Sequence, residues 1–182
     1  MKAGRIIGKY KDKKGEEFLI RYLNFSDYEK CLNYINRLVE EDAMILLNKK
    51  LTKEEELEWI CKQLKSMENN ESLVLVAEKN GRIIGITEII KRKGKESHIG
   101  VFGISVEKNF RGRGIGELLA RKILEIAKKE LKIKMVILGV YENNIPALNL
   151  YKKLGFNICG KLPKGIKHKR KYITKICMYK EL

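Results

Sequence analysis

Apolar positions along this chain switch between two periods, and the switches mark out its elements. Residues 5–10 and 18–23 read as strands flanking a Lys-Asp-Lys-Lys-Gly turn, which predicts a hairpin. Helical spacing follows at Cys31, Leu32, Ile35, Leu38 and Val39, behind Ser26-Asp27-Tyr28-Glu29, which fits a capping box. Thr52 and Glu55 fit another, opening a helix to about Met67 with Leu57, Ile60, Cys61 and Leu64 on one face. Residues 40–51 between them show neither period. Residues 72–78 and 82–90 predict strands joined by the hairpin signal Asn80-Gly81. A basic turn at 91–95 leads to a strand at 99–106. A long helix is predicted from Gly114 or Ile115 to Leu131, with Leu118, Leu119, Ile123, Ile126 and Ala127 facing inward. A short strand at 135–140 precedes a helix at 144–154, with Pro146 in its first turn and Gly155 at its end. Residues 156–161 and 172–179 read as two strands around a basic turn. The order is ββααβββαβαββ, an α/β (α+β) class with a mixed, mostly antiparallel central sheet.

Length fits one domain: the chain has 182 residues, within the roughly 100–200 usual for one. Residues 15–182 are expected to form it, with 1–14 an N-terminal extension or the first strand of a hairpin. Apolar residues make up 44% and charged residues 34%, enough for a packed core. No run is long enough to span a bilayer, and no apolar stretch of signal-peptide length follows residues 1–5. The expectation is a cytoplasmic protein with no membrane partner. Cys31, Cys61, Cys159 and Cys177 form no CxxC, and only His98 and His168 are available to join them. Reduced, mostly buried thiols are therefore expected, and no metal site. The net charge is +16, with 30 lysines, 9 arginines and a single glutamine. That bias fits a thermophile or a biased genome.

The sharpest chemical signal runs from Val106 to Gly116, V-E-K-N-F-R-G-R-G-I-G. A strand feeds a glycine-rich loop, and the loop feeds a helix. The first amides of that helix lack internal partners, its dipole adds positive charge, and Arg111 and Arg113 add two full charges. This is a cradle for a pyrophosphate. It is not the dinucleotide fingerprint, because Glu117 stands where GxGxxG needs its third glycine, nor a P-loop, because GK[ST] is absent. A second block, N-I-P-A-L-N-L-Y-K-K-L-G-F, begins at Asn144.

Together the two blocks resemble the GNAT superfamily of acyl-CoA-dependent N-acetyltransferases. The first matches V-x(4)-R/Q-x-x-G-x-G/A at Val106, Arg111, Gly114 and Gly116; the second matches N-x-x-A-x-x-L-Y-x-x-x-G-F at Asn144, Ala147, Leu150, Tyr151, Gly155 and Phe156. The resemblance covers nearly all of residues 15–182. It implies the GNAT fold, with helices on both faces of the sheet, and acetyl-CoA as cosubstrate. It places the pyrophosphate on Arg111, Gly112, Arg113, Gly114, Ile115 and Gly116. The pantetheine arm would lie along Ile104, Ser105 and Val106 where two strands splay, and Asn144 would bond that arm. Tyr151 would meet the thioester sulfur. A phenol of ordinary pKa about 10 can protonate a leaving thiolate without being ionised at neutral pH.

The amine acceptor must also lose a proton. Ribosomal-protein acetyltransferases of this superfamily carry a glutamate at the position of Gly139, so that base is missing here. Glu88, in the apolar strand Ile84-Gly85-Ile86-Thr87-Glu88-Ile89-Ile90, is the better candidate. On a period-two strand it would share a face with Ile84, Ile86 and Ile90. Its position also resembles that of a glutamate in spermidine acetyltransferases. Glu142, His98 and water are weaker alternatives.

The acceptor is expected to be a protein or peptide amine, with a polyamine or other small amine as the alternative. Residues 37–58 hold seven acidic and four basic side chains, a segment that could attract a cationic amine. Residues 161–175 hold seven basic and no acidic side chains, and with Lys91, Arg92, Lys93 and Lys95 they are expected to form a positive rim. A non-catalytic nucleic-acid-binding protein is the distant alternative, weakened by the absence of an aromatic platform or recognition helix. A homodimer is among the expected assemblies.

Overall fold

Residues 3–182 are described, in a computed structural model. The predicted element order is the observed one: β1 (Ile6–Lys11), β2 (Glu17–Tyr22), α1 (Tyr28–Glu40), α2 (Lys53–Glu68), β3 (Ser72–Lys79), β4 (Arg82–Lys91), β5 (Ile99–Val106), α3 (Ile115–Ile126), β6 (Met135–Tyr141), α4 (Ile145–Lys153), β7 (Asn157–His168) and β8 (Lys171–Glu181). All eight strands form one sheet in the order β1-β2-β3-β4-β5-β6-β8-β7. Only β5 and β6 are parallel neighbours. Residues 1–14 are therefore no loose extension in their described part, because β1 is an edge strand of the common sheet.

Each face of the sheet carries a helical layer and its own core. On one face α3 and α4 cover Ile20, Leu75, Ile84, Ile89, Phe102, Val136, Leu138 and Met178. On the other, α1 and α2 cover Val74, Val76 and Ile83, with Leu23, Tyr34, Leu38 and Ile60 fully buried. A buried ion cluster joins the start of the second layer to the sheet. Arg21 on β2 bonds Asp27 through two nitrogens, at 2.6 and 2.7 Å, and also pairs with Glu78. Breaking one member would leave a buried charge uncompensated.

Several local expectations change. The capping box belongs to a 3₁₀ turn before α1 (Phe25–Asp27), where Asn24 accepts from Ser26 N and Asp27 accepts from Asn24 N; Asp27, not Ser26, is the N-cap of α1 and makes no side-chain cap bond there. The buried stripe of α2 is Glu56, Ile60 and Gln63, and Cys61 is exposed. The helix is amphipathic, but rotated so that two polar residues face inward. Only Cys31 of the four thiols is buried; Cys159 is exposed like Cys61, and Cys177 is half-buried. α3 stops at Ile126 and continues as a π-helical turn to Leu131, where Lys132 closes it in the left-handed region. The basic segment after residue 161 is strand rather than turn. An irregularity between Leu162 and Ile166 keeps β7 on β8, and Ile166 is buried opposite Ile173.

Candidate functional site

The parallel pairing of β5 with β6 lasts only from Ile99–Met135 to Val101–Ile137. Beyond it β5 stays on β4 as far as Val106–Gly85, and β6 stays on β8 as far as Tyr141–Lys175. The two strands part in the middle of the sheet. The β6-facing edge of residues 102–106 is left without a ladder, open to an added extended chain. The expected splay is present, and Ile104, Ser105 and Val106 lie along it.

At its end the chain turns through the 107–114 loop into α3. Gly112 and Gly114 have φ of 73° and 86°, the left-handed region that favours glycine. Gly114 is the N-cap of α3, and the first bond of the helix runs from Leu118 N to the Gly114 carbonyl at 3.1 Å. The amides of residues 112–117 donate to no acceptor among the described residues. Six N–H groups at a helix N-terminus form an anion cradle made of backbone. A Cβ at Gly112 would meet nothing within 4 Å, whereas one at Gly116 would touch Val106 at 3.4 Å, which seats the start of α3 against the end of β5.

The two arginines serve the loop rather than crowding it with charge. Arg113 is buried. Its Nε donates to Asp12 at 2.6 Å, its Nη2 pairs with Asp12 and Glu16, and its guanidinium lies 5.0 Å over the Phe110 ring. The expectation that Arg113 adds a free charge to the cradle is corrected: the β1–β2 turn neutralises that charge and clamps the loop. Arg111 donates from Nε to the Val106 carbonyl at 2.8 Å and pairs with Glu41, whose other oxygen accepts from Lys108 N at 3.2 Å. This ties the loop to the end of α1.

Across the splay, α4 presents Tyr151. Asn144 caps α4 by accepting from Ala147 N at 3.3 Å, which leaves its amide NH₂ free among the described residues. Tyr151 is 7% exposed. Its ring meets Phe102 edge-on at 6.1 Å and Phe156 at 5.8 Å. Burial pushes the phenol up to about 12, so it is a neutral proton donor across the physiological range.

Glu88 lies on the opposite, α1–α2 face. A bulge in β4 turns Ile84 to the α3 side, so Glu88 shares its face with Ile86 but not with Ile84 as expected. The Glu88 carboxyl leans over Gly103, where a Cβ would stand 3.3 Å from Oε1. Its Oε2 is buried without a hydrogen-bond partner, and burial holds the carboxyl above the usual range. Beside it, Ser105 Oγ and Tyr34 Oη lie 2.8 Å apart, fixing α1 to β5. The weaker base candidates sit elsewhere. His98 is exposed just before β5, at the paired end of that strand, and Glu142 is exposed and paired with Lys161.

The unpredicted 41–51 loop roofs this face. Tyr141 Oη donates to the Ile45 carbonyl at 2.7 Å, and Asp42 pairs with His168 and Lys169 at the tip of the β7–β8 hairpin. Ion pairs take up part of the acidic segment at 37–58, leaving Glu54 and Glu58 exposed. Glu40 pairs with Lys50, Glu41 with Arg111, Glu55 with Lys49, and Glu56 is buried. The single positive rim is not formed. The 91–95 turn follows β4 at the sheet edge where β5 starts, and the 169–170 turn lies at the edge where β5 ends. Among the described residues there is no cluster of three or more metal-ligating side chains, and no helix long and apolar enough to cross a membrane.

The comparisons with known proteins agree with this geometry. Residues 33–156 match the family model described as "Acetyltransferase (GNAT) family". The chain is 34% identical over 87 residues to the L-amino acid N-acetyltransferase AaaT of Escherichia coli, an alignment covering 47% of this chain and 54% of that one. The chain spans about half the length of the first curated relatives that it matches. Among solved structures, a GNAT-family acetyltransferase from Streptococcus pneumoniae is 30% identical with a TM-score of 0.82, covering 91% of this chain and 99% of that one. The yncA acetyltransferase from Salmonella typhimurium, solved with acetyl-CoA, has the same fold at 19% identity and a TM-score of 0.79, covering 91% and 94%. The match over residues 33–156, more than half of the sequence, shows that the chain belongs to the acetyltransferase (GNAT) family.

Proposed function

We propose that this chain transfers an acetyl group from acetyl-CoA directly to a primary amine within a ternary complex, and that the amine belongs to a peptide or protein. The observation that carries the reading is the unpaired edge of residues 102–106, running from the open amides of residues 112–117 toward Tyr151. Acetyl-CoA supplies a thioester, whose carbonyl carbon takes the amine and whose sulfur departs with the C–S bonding electrons. The cradle amides hold the diphosphate. The β5 edge orients the amide-bearing arm. Glu88 removes a proton from the acceptor nitrogen, directly or through a water, as the N–C bond forms. Tyr151 gives its phenolic proton, or a hydrogen bond, to the departing sulfur. The raised phenol suits that task, and the raised carboxyl of Glu88 makes it a stronger base than an exposed glutamate.

Two features favour a peptide over a polyamine. Of the seven acidic side chains expected to draw a polycation, Glu40, Glu41, Asp42 and Glu55 are held in ion pairs and Glu56 is buried, which leaves Glu54 and Glu58. The roof presents exposed Met44, Leu46 and Leu47, and the hairpin presents Leu162 and Tyr172, apolar surface suited to peptide side chains. Thiol release from acetyl-CoA over a panel of amidated peptides, spermidine and simple amines tests this. Peptides should turn over fastest. At saturating peptide the rate should rise with pH through an acid limb that Glu88→Gln removes. Thermal shift should show stabilisation by CoA and not by AMP or RNA. No thiol release with any amine, or stabilisation by RNA alone, would overturn the reading.

A further inference from the structure

The α1–α2 face of the splay holds a cation that the transfer chemistry does not use. The last paired residues of β5 and β6 are Val101 and Ile137. Two residues further along each strand, on that same face, come Gly103 and Gly139. The floor between the parted strands is therefore bare backbone, and a long side chain leans over it from either flank. Glu88, paired in register with Gly103, covers it from β4. Lys175, in register with Tyr141 on β8, lies across Gly139. A Cβ at 139 would run into Lys175 Cε and stand 3.0 Å from Nζ. The glutamate expected at this position in ribosomal-protein acetyltransferases is thus replaced by the absence of a side chain, and a lysine fills the space.

Lys175 has no acidic partner among the described residues, and what distinguishes it in the basic tail is its place, laid across Gly139 on the floor of the splay. Glu88 and Lys175 do not pair with each other. Their strands stand three spacings apart in the sheet, roughly 14 Å or more, and the side chains lean inward until each overlies the nearer of β5 and β6. A buried carboxyl oxygen without a partner and an unpaired ammonium then face one trough. The complement of that arrangement is a molecule with an ammonium and a carboxylate a few bonds apart.

We infer that the acceptor carries a carboxylate close to its reactive amine, that Lys175 Nζ holds the carboxylate, and that Glu88 faces the amine. The inference rests on the reading of this trough as the acceptor site. An acidic first residue of a peptide fits it; a free amino acid offers the same chemistry through its α-carboxylate.

The test is a comparison of ratios. The native protein and Lys175→Met are assayed for thiol release with amidated tripeptides beginning with Glu or with Gln, and with free glutamine against glutamine amide. In the native protein the carboxylate-bearing member of a pair should have the higher kcat/KM, by about 10–100-fold, the range of one charge-assisted hydrogen bond. Lys175→Met should bring that ratio close to one whatever the absolute rates, and Lys175→Glu should invert it. A Lys175-dependent ratio confined to the peptide pair identifies a peptide acid, and one confined to the glutamine pair an α-carboxylate. Should the lysine variants fail to fold, Gly139→Asp, which offers Lys175 an internal partner, should abolish the same ratio. Equal rates within both pairs, or a preference that survives Lys175→Met, would overturn the inference while leaving acetyl transfer intact. Absence of thiol release with every amine would instead remove the parent reading, and this one with it.

Discussion

The two sides of the splay are built from different materials. The side proposed for the donor is backbone. Its cradle is one short run of residues, shaped by left-handed glycines and aimed by the start of α3. The side proposed for the acceptor is side chains. Glu88, Tyr34, Tyr141 and Lys175 come from four elements, over a floor kept clear by Gly103 and Gly139 and under a roof made by the 41–51 loop. A backbone site tolerates many residue types so long as φ and the open amides are kept. A side-chain site changes its partner with a single substitution. The difference explains why donor recognition can be read as a motif and acceptor recognition cannot.

Substitutions can break that contrast at graded points. The largest effect is expected at Tyr151, where the halves meet. Tyr151→Phe keeps the ring packing on Phe102 and Phe156 and removes only the hydroxyl. It should lower kcat by about 10²–10⁴, with CoA affinity by calorimetry barely altered. An undiminished kcat would remove the phenol from proton transfer. Next comes Gly114→Val, which belongs to the donor half alone. A β-branched residue is strained at a φ of 86°. The cradle amides should lose their aim, and CoA should bind about ten-fold or more weakly. Unchanged affinity in a folded variant would move the phosphates off this loop.

The smallest effect is expected away from both halves. Glu56 is 3% exposed in α2, without an ion pair among the described residues, and burial raises it to about 7. In the unfolded chain a glutamate titrates near 4.3. Between those values the folded state binds the extra proton, so stability falls as pH rises from about 4 to about 7 and stays lowered above it. Glu56→Gln should then raise Tm at pH 8 by about 2–5 °C, with little change at pH 4 and unchanged CoA affinity. A Tm gain of the same size at both pH values would show that packing, not charge, is responsible.

Much of the architecture was legible because it is local. Asn80-Gly81 makes its hairpin with both residues at positive φ, Thr52 and Glu55 cap α2, and the spacing of apolar residues with its turn and cap signals put all twelve elements in order. The cradle was legible for the same reason: its glycines, its helix start and its preceding strand are contiguous. What depended on distant neighbours was misread or not read at all. The phase of α2 depends on the sheet beneath it. The side of β4 on which Ile84 falls depends on a bulge that no period shows. The fate of Arg113 depends on carboxylates a hundred residues earlier.

The sequence alone thus determined the order of elements and the donor motif, since a few adjacent residues specify dihedrals and free amides. Only the tertiary structure decided where the charges go. It drew most of the acidic segment into ion pairs, set the two basic turns at opposite ends of the strands, and laid Glu88 over Gly103 and Lys175 over Gly139. Electrostatic partners are chosen by distance through space, and strand pairing fixes those distances between residues that the sequence holds far apart.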